Sequence, residues 1–323
     1  MPRYGPVDAL QSPRFCGVRT FARLPLVQDL ADVDLAFVGS PFDTGVTFRV
    51  GARFGPAAIR EASLLLRPYH PGLHVEVFSA LSAVDYGDLP VVPGYIEDSY
   101  ARVEVGLAPL LAAGVTPIIL GGDHSITLAH LRAVARAHGP LGLAQFDAHS
   151  DTWDAYFGRK YNHGTTFKRA VEEGLLDPAR GIQVGMRGPL YAAEDYDTAR
   201  ALGLDLMPAS EVREVGIQAT VQRIRERLGS GAAFISFDVD FLDPAYAPGT
   251  GTPEVGGFTT YEAQQLIRGL AGLRLVAYDV VEVLPAYDHA DITALAAANM
   301  AYEFAALTAI QKNERTAQGT ARP

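Results

Sequence analysis

Two short segments of this chain space acidic or imidazole side chains one residue apart in a way that ordinary structural roles do not explain. Asp147-Ala148-His149-Ser150-Asp151 follows an apolar run. In an extended backbone, positions i, i+2 and i+4 share a face, so Asp147, His149 and Asp151 converge across two small residues. Asp238-Val239-Asp240-Phe241-Leu242-Asp243-Pro244 follows a second apolar run, and Asp238 and Asp240 again share a face. A third run ends in Gly121-Gly122-Asp123-His124-Ser125, where paired glycines permit a sharp turn and Asp123 or Ser125 suits a helix cap. In that bland reading His124 is an ordinary packed histidine. Capping also suits Asp243-Pro244. It accounts for one carboxylate of the first segment but not for its alternation, and it does not suit the Asp238/Asp240 pair.

Four carboxylates at neighbouring strand ends (Asp147, Asp151, Asp238 and Asp240) cannot all stay ionised without a counter-charge. Burying them unpaired costs several kcal/mol each and raises their pKa values. Two divalent cations balance the four charges and leave His124 and His149 as neutral ligands. Carboxylates with some imidazole and no thiolate suit a six-coordinate ion such as manganese better than a structural zinc, and the imidazoles disfavour magnesium and calcium. Carboxylates from different strands can bridge ions about 3.5–4 Å apart, and such a pair lowers the pKa of a shared water. The chemistry indicated is metal-assisted hydrolysis.

The elements that must hold these residues follow from the same pass. Apolar runs at 34–39, 116–120, 141–146, 181–186, 233–237 and 274–281 favour Val, Ile, Leu and Phe without alternation, as strands covered on both faces do. Helical patterns near 56–66, 100–113, 126–138, 167–174, 192–202, 220–228 and 261–270 separate them, predicting an α/β fold with a mostly parallel sheet. Ligands of such sheets gather outside the carboxyl ends of the strands, where all three segments lie. No linker or repeat divides the 323 residues, so one domain is expected, with residues 1–25 as an N-terminal extension and a mobile polar tail over 314–323.

Composition narrows the function classes. A formal charge of −10 argues against nucleic acid as a partner, since phosphate binding needs clustered Lys and Arg. Cys16 is the one cysteine, which excludes an intrachain disulfide and a thiolate metal cage. The N-terminus lacks the apolar core of a signal peptide, and the Ala-rich stretch 292–310 is interrupted by Thr293, Asn299, Glu303 and Thr308. It reads as a buried helix rather than a membrane span. A cytoplasmic protein without a membrane partner is the expectation.

These motifs resemble the ureohydrolase family, which includes arginase, agmatinase and guanidino-acid hydrolases. The resemblance rests on GGDHS (121–125), DAHSD (147–151) and SFDVDFLDPAYAPGTGTPEVGG (236–257), with HGTTF (163–167), GARFGPAAIR (51–60) and VVEV (280–283). It implies a three-layer α/β/α sandwich with about eight strands, homotrimers or homohexamers, and two Mn2+ per subunit. By resemblance, His124, Asp147, Asp151 and Asp238 hold one ion and Asp147, His149, Asp238 and Asp240 the other, with Asp147 and Asp238 bridging. His163 matches the family histidine that shuttles protons, a role suited to a pKa near neutrality. Glu282 matches the glutamate that grips the guanidinium, whose N–H fork fits two carboxylate oxygens. Asp151 is a further catalytic candidate, assisting protonation of the departing amine. Outside the motif match, Glu282 reads equally well as a buried partner of Arg53 or Arg187.

The substrate is read less directly. Arg187-Gly188-Pro189-Leu190 lacks the carboxylates by which arginases recognise an amino-acid head, so arginine is disfavoured. The loop 152–162 should meet the substrate tail. Asp154 or an aromatic face would suit the ammonium of agmatine, whereas Arg159, Lys160 or Tyr191 would suit the carboxylate of 4-guanidinobutyrate or 3-guanidinopropionate. Agmatine, cleaved to putrescine and urea, is the expected substrate, with the guanidino acids as the alternative. A deacetylase-like amidohydrolase with a single zinc is a third reading, which would not need paired aspartates at two strand ends.

Overall fold

Val-, Ile-, Leu- and Phe-rich runs favour a pleated surface on which their stiff side chains pack. In the computed structural model, which describes residues 2–317 and residue 319, each of the six expected runs is a strand. The strands are β1 (Leu35–Ser40), β2 (Tyr69–His70), β3 (Val75–Glu76), β4 (Ala83–Asp88), β5 (Thr116–Gly121), β6 (Leu141–Phe146), β7 (Leu176–Met186), β8 (Asp205–Pro208), β9 (Ala233–Asp238) and β10 (Leu275–Val281). Eight of them form one sheet in the order β4-β1-β5-β10-β9-β6-β7-β8, with every neighbouring pair parallel. The hairpin β2–β3 stands apart. The two strands of this sheet that were not expected, β4 and β8, are its edges. Their sequences AVDYGD and DLMP carry the charges, glycine and proline that edges tolerate and that hide a strand from a hydrophobicity pattern.

The helices are α1 (Gly55–Ala62), α2 (Val77–Ala80), α3 (Ile96–Ala112), α4 (Thr127–His138), α5 (Thr166–Glu172), α6 (Asp195–Ala201), α7 (Ala209–Leu228), α8 (Thr260–Arg268) and α9 (Ile292–Ala317). Alternate strand residues feed two cores. Leu35, Phe37, Ile118 and Leu120 pack with α1, α7, α8 and α9, whereas Ala36, Val38, Ile119 and Leu143 pack with α3, α4 and α5. This is the three-layer α/β/α sandwich, and both faces are covered, which is why the strands read as unbroken apolar runs. The Ala-rich stretch is the buried α9. It carries helix through residues 314–317 of the expected tail; residues 318 and 320–323 lie outside those described. Among the described residues no helix is long and apolar enough to cross a membrane.

The N-terminal extension divides in two. Phe21 stacks on Phe37 of β1 with ring centroids 3.7 Å apart and donates its N–H to Asp85 of β4 at 2.8 Å. Val7, Leu10, Phe15 and Val18 before it are exposed.

Gly121 ends β5 and Gly122 follows it, but neither lies in the left-handed region, so conformational freedom is not their use. They permit close approach instead. A Cβ on Gly122 would sit 1.8 Å from the Phe42 carbonyl oxygen, and one on Gly121 would sit 2.6 Å from Val281 Cγ1. The residues that follow are therefore held against β1's exit loop and β10. Gly122→Ala should force those backbones apart and destabilise the fold by about 2 kcal/mol or more. Equilibrium denaturation is the check, and a change below about 0.5 kcal/mol would show that the contact yields freely.

Candidate metal centre

Four adjacent central strands, in the order β5-β10-β9-β6, deliver the polar residues from their carboxyl ends. Past β5, Asp123 caps a short 3-10 turn, His124–Ile126, by accepting the N–H of Ser125, as the capping reading anticipates. Asp238 ends β9 and caps the turn Val239–Phe241, accepting the N–H of Asp240 at 2.8 Å. The Asp238/Asp240 pair thus converges through a cap and a helical turn rather than through extended backbone. Asp147, His149 and Asp151 follow β6, with Asp151 at φ +52°, and Glu282 follows β10 at φ +64°. Left-handed backbone at two non-glycine residues is the strain that functional sites store.

These side chains form two nests that share one carboxylate. His124 Nδ1 lies 3.0 Å from Asp147 Oδ2, 3.0 Å from Asp151 Oδ2 and 3.3 Å from Asp238 Oδ2. His149 Nδ1 lies 3.0 Å from Asp240 Oδ2 and 3.6 Å from Asp147 Oδ1. Asp147 therefore offers one oxygen to each nest, and both nests are compact enough to hold a metal ion. All of these residues are buried except His149, which is partly exposed.

The electrostatics are those of crowded acids short of counter-charge. Burial lifts the Asp151 carboxyl to about 6, with Asp147 adding to the effect. Burial also raises Asp238 well above the carboxylate range, reinforced by Asp240 and Asp147, and raises Asp240. The same burial acts on Asp147, but the adjacent His124 and His149 rings outweigh it and hold that carboxyl far below its ordinary value. Burial opposes charge on both histidines, yet the surrounding carboxylates raise them well above theirs.

Among the described residues, the buried polar atoms without a hydrogen-bond partner include His124 Nδ1, Asp240 Oδ2 and Glu282 Oε2. His124 shows why. Its Nε2 lies 2.9 Å from Ser236 Oγ, and the Ser236 hydroxyl donates to Asp279 Oδ1 at 2.7 Å. Ser236 has one hydrogen, so Nε2 must be the donor, and in the neutral ring Nδ1 presents a bare lone pair to three carboxylate oxygens. A lone pair facing anions is repulsive unless a proton or a metal ion lies between them. The donor set, imidazole and carboxylate without thiolate, fits a manganese-like divalent ion in each nest.

His163, at the start of a short turn before α5, bonds to Glu282. Its Nδ1 lies 3.0 Å from Glu282 Oε1, and its Nε2 accepts the Thr47 N–H at 3.1 Å, so Nδ1 carries the proton of the neutral ring. Thr47 Oγ1 lies 2.7 Å from the same Nε2. Glu282 Oε1 also accepts the His124 N–H at 2.9 Å. The alternative partners for Glu282 are engaged elsewhere: Arg53 pairs with Asp43, and Arg187 donates to the carbonyls of Asp240, Leu242 and Glu254.

A cavity of about 300 Å³ opens over the nests, with His124, His149, Asp151, His163 and Asp238 on its walls. Trp153, Tyr156 and Tyr191 form a three-ring cluster at its mouth, with centroids 5.7, 5.9 and 6.0 Å apart. Tyr191, which the sequence reading offered for a substrate carboxylate, lines this mouth. Asp154 does not: its carboxylate accepts from Arg169 at 2.7 Å and pairs with Lys168 at 3.7 Å, away from the cavity walls. Arg159 and Lys160 are likewise absent from the walls. Glu254, 3.9 Å from His149 Nε2, and Thr47 were missed. Glu254 lies inside the 236–257 motif, so its position after β9 was a usable signal; Thr47 has none in the sequence.

The chain matches the arginase family over residues 33–306. It is 48% identical to a guanidinopropionase of Pseudomonas aeruginosa, over 94% of this chain and 96% of that protein. It is 45% identical to the mitochondrial agmatinase of Gallus gallus, over 89% and 84% respectively. The solved structure of proclavaminate amidino hydrolase from Streptomyces clavuligerus superposes with a TM-score of 0.88 at 40% identity, covering 93% of this chain and 100% of that one. The fold, the nests at its strand ends and these matches agree: the chain belongs to the arginase family, as a ureohydrolase acting on C–N bonds of guanidino compounds.

Proposed function

We propose that this ureohydrolase binds two Mn2+ and cleaves agmatine to putrescine and urea. The observation that supports the two-ion reading best is the pair of nests sharing Asp147, with unpartnered His124 Nδ1 and Asp240 Oδ2 inside them. His124, Asp147, Asp151 and Asp238 would hold one ion and Asp147, His149, Asp238 and Asp240 the other, with Asp147 and Asp238 shared. When bound, such a pair supplies activation of water for attack on the guanidinium carbon.

The remaining work falls to the chain's own groups. Glu282 orients the guanidinium through Oε2, the buried oxygen that has no partner of its own. His163, hydrogen-bonded to Glu282, and Asp151 handle the proton that the leaving amine must gain. The ring cluster Trp153, Tyr156 and Tyr191 excludes water and covers the apolar linker of the substrate. At the mouth, Glu254 meets a cationic tail, and no lysine or arginine is among the described residues that line the cavity. That charge pattern supports agmatine. A second reading, a guanidino acid, is supported by the name of the 48%-identical relative and by the Tyr156 and Tyr191 hydroxyls, which can donate to a carboxylate. Assembly as a homotrimer or homohexamer and residence in the cytoplasm belong to the same proposal.

Urea release from agmatine, 4-guanidinobutyrate, 3-guanidinopropionate and arginine tests the substrate. Agmatine should show the highest kcat/KM, and Glu254→Gln should lower it about tenfold, in line with one hydrogen bond to a charged group. Higher kcat/KM for a guanidino acid, rising further in Glu254→Gln, would establish the second reading instead. Metal analysis of the purified protein should give two manganese per chain. Asp238→Ala should reduce turnover to below about 1% by removing a shared ligand, and one zinc per chain would return the deacetylase-like alternative. Glu282→Gln should raise KM roughly 10- to 100-fold with metal content intact; loss of metal would make Glu282 a ligand rather than a substrate anchor.

A further inference from the structure

Beneath the metal centre a row of polar side chains crosses the sheet at one register level. Gln183 on β7 is paired with Gln145 on β6, Gln145 with Ser236 on β9, and Ser236 with Asp279 on β10. All four are fully buried, and each lies between residues that point into the opposite core. The Ser236–Asp279 end orients His124, as described above. The glutamine end reaches Asp147.

Gln145 stands two residues before Asp147, on the same face of the strand. Its Nε2 donates to Asp147 Oδ2 at 2.8 Å and to the His149 carbonyl at 3.1 Å. Both partners are acceptors only, so the amide cannot be flipped. Its Oε1 must then accept, and the Gln183 Nε2 donates to it at 2.5 Å and also to the Ser150 carbonyl. The other Asp147 oxygen, Oδ1, accepts the His149 N–H at 2.7 Å. One N–H therefore pins each oxygen of Asp147, and each keeps a lone pair for the nest it faces.

We propose that Gln145, held by Gln183, is a positioning residue that fixes the carboxylate plane of Asp147 so that a single side chain serves both ions. This rests on the two-manganese reading above and adds what sets its geometry. A carboxylate free to rotate would give both oxygens to one nest and leave the other short of a ligand. Polar groups behind metal ligands commonly change affinity 10- to 100-fold when removed.

Titration of metal-free protein with Mn2+, followed by calorimetry and by electron paramagnetic resonance, tests this on wild type, Gln145→Leu and Gln183→Leu. Wild type should take up two ions and show the spectrum of an exchange-coupled pair. Gln145→Leu should bind at least one of them about 10- to 100-fold more weakly and lose the coupled signal in favour of isolated ions. Gln183→Leu, one bond further back, should shift in the same direction by less. The metal-free melting temperature separates this from misfolding: weaker binding in Gln183→Leu at an unchanged metal-free melting temperature supports the proposal even where Gln145→Leu folds poorly. Wild-type affinity and an unchanged coupled spectrum in a folded Gln145→Leu would overturn it, as would weaker binding only in step with lost metal-free stability. Wild type that takes up fewer than two ions would refute the two-manganese reading itself.

Discussion

Like charges brought together out of water govern how this molecule is built. Asp147, Asp151, Asp238 and Asp240 converge where four parallel strands end, and little solvent is present to screen them. The sheet makes this convergence unavoidable, because parallel strands present all their carboxyl ends on one side. The response occupies the whole region. Backbone amides and a glutamine each donate to one of several carboxylate oxygens, and two histidines sit between the acids.

The supports for this arrangement are as buried as the site. Asp279 accepts from Ser236, Thr127 and His130 within the core beside α4, so a carboxylate that touches none of the nests still decides which nitrogen of His124 faces them. Such polar chains are affordable inside apolar layers only when each member is satisfied, and this one is close to that limit. Among the described residues, His130 Nε2 and Gln183 Oε1 at its outer ends lack partners, as does His124 Nδ1 where it faces the nest.

Much of the site was legible from spacing. The alternating acids, their place after apolar runs and the arithmetic of charge led to the two nests, because short-range periodicity and Coulomb repulsion are properties of sequence. The central strands were legible for the same reason, and the edges β4 and β8 were not, since one-sided pairing tolerates the residues that disguise a strand. Gln145, Gln183, Ser236 and Asp279 stayed invisible for a different reason. Each is one polar residue in an apolar run, and only the register between strands shows that they touch. Asp154 went astray because Arg169, distant by fifteen positions, claims it through a fold that the loop alone does not reveal.

His163 has both ring nitrogens occupied, one by Glu282 and the other by Thr47, and its own backbone N–H is bonded to Gly45. A ring so tethered has no free site through which to exchange with bulk solvent. If it delivers protons during turnover, the stretch around Gly45 and Thr47 must let go of it once per cycle. The speed of the enzyme would then depend on the mechanical compliance of a segment that supplies no ligand to either nest.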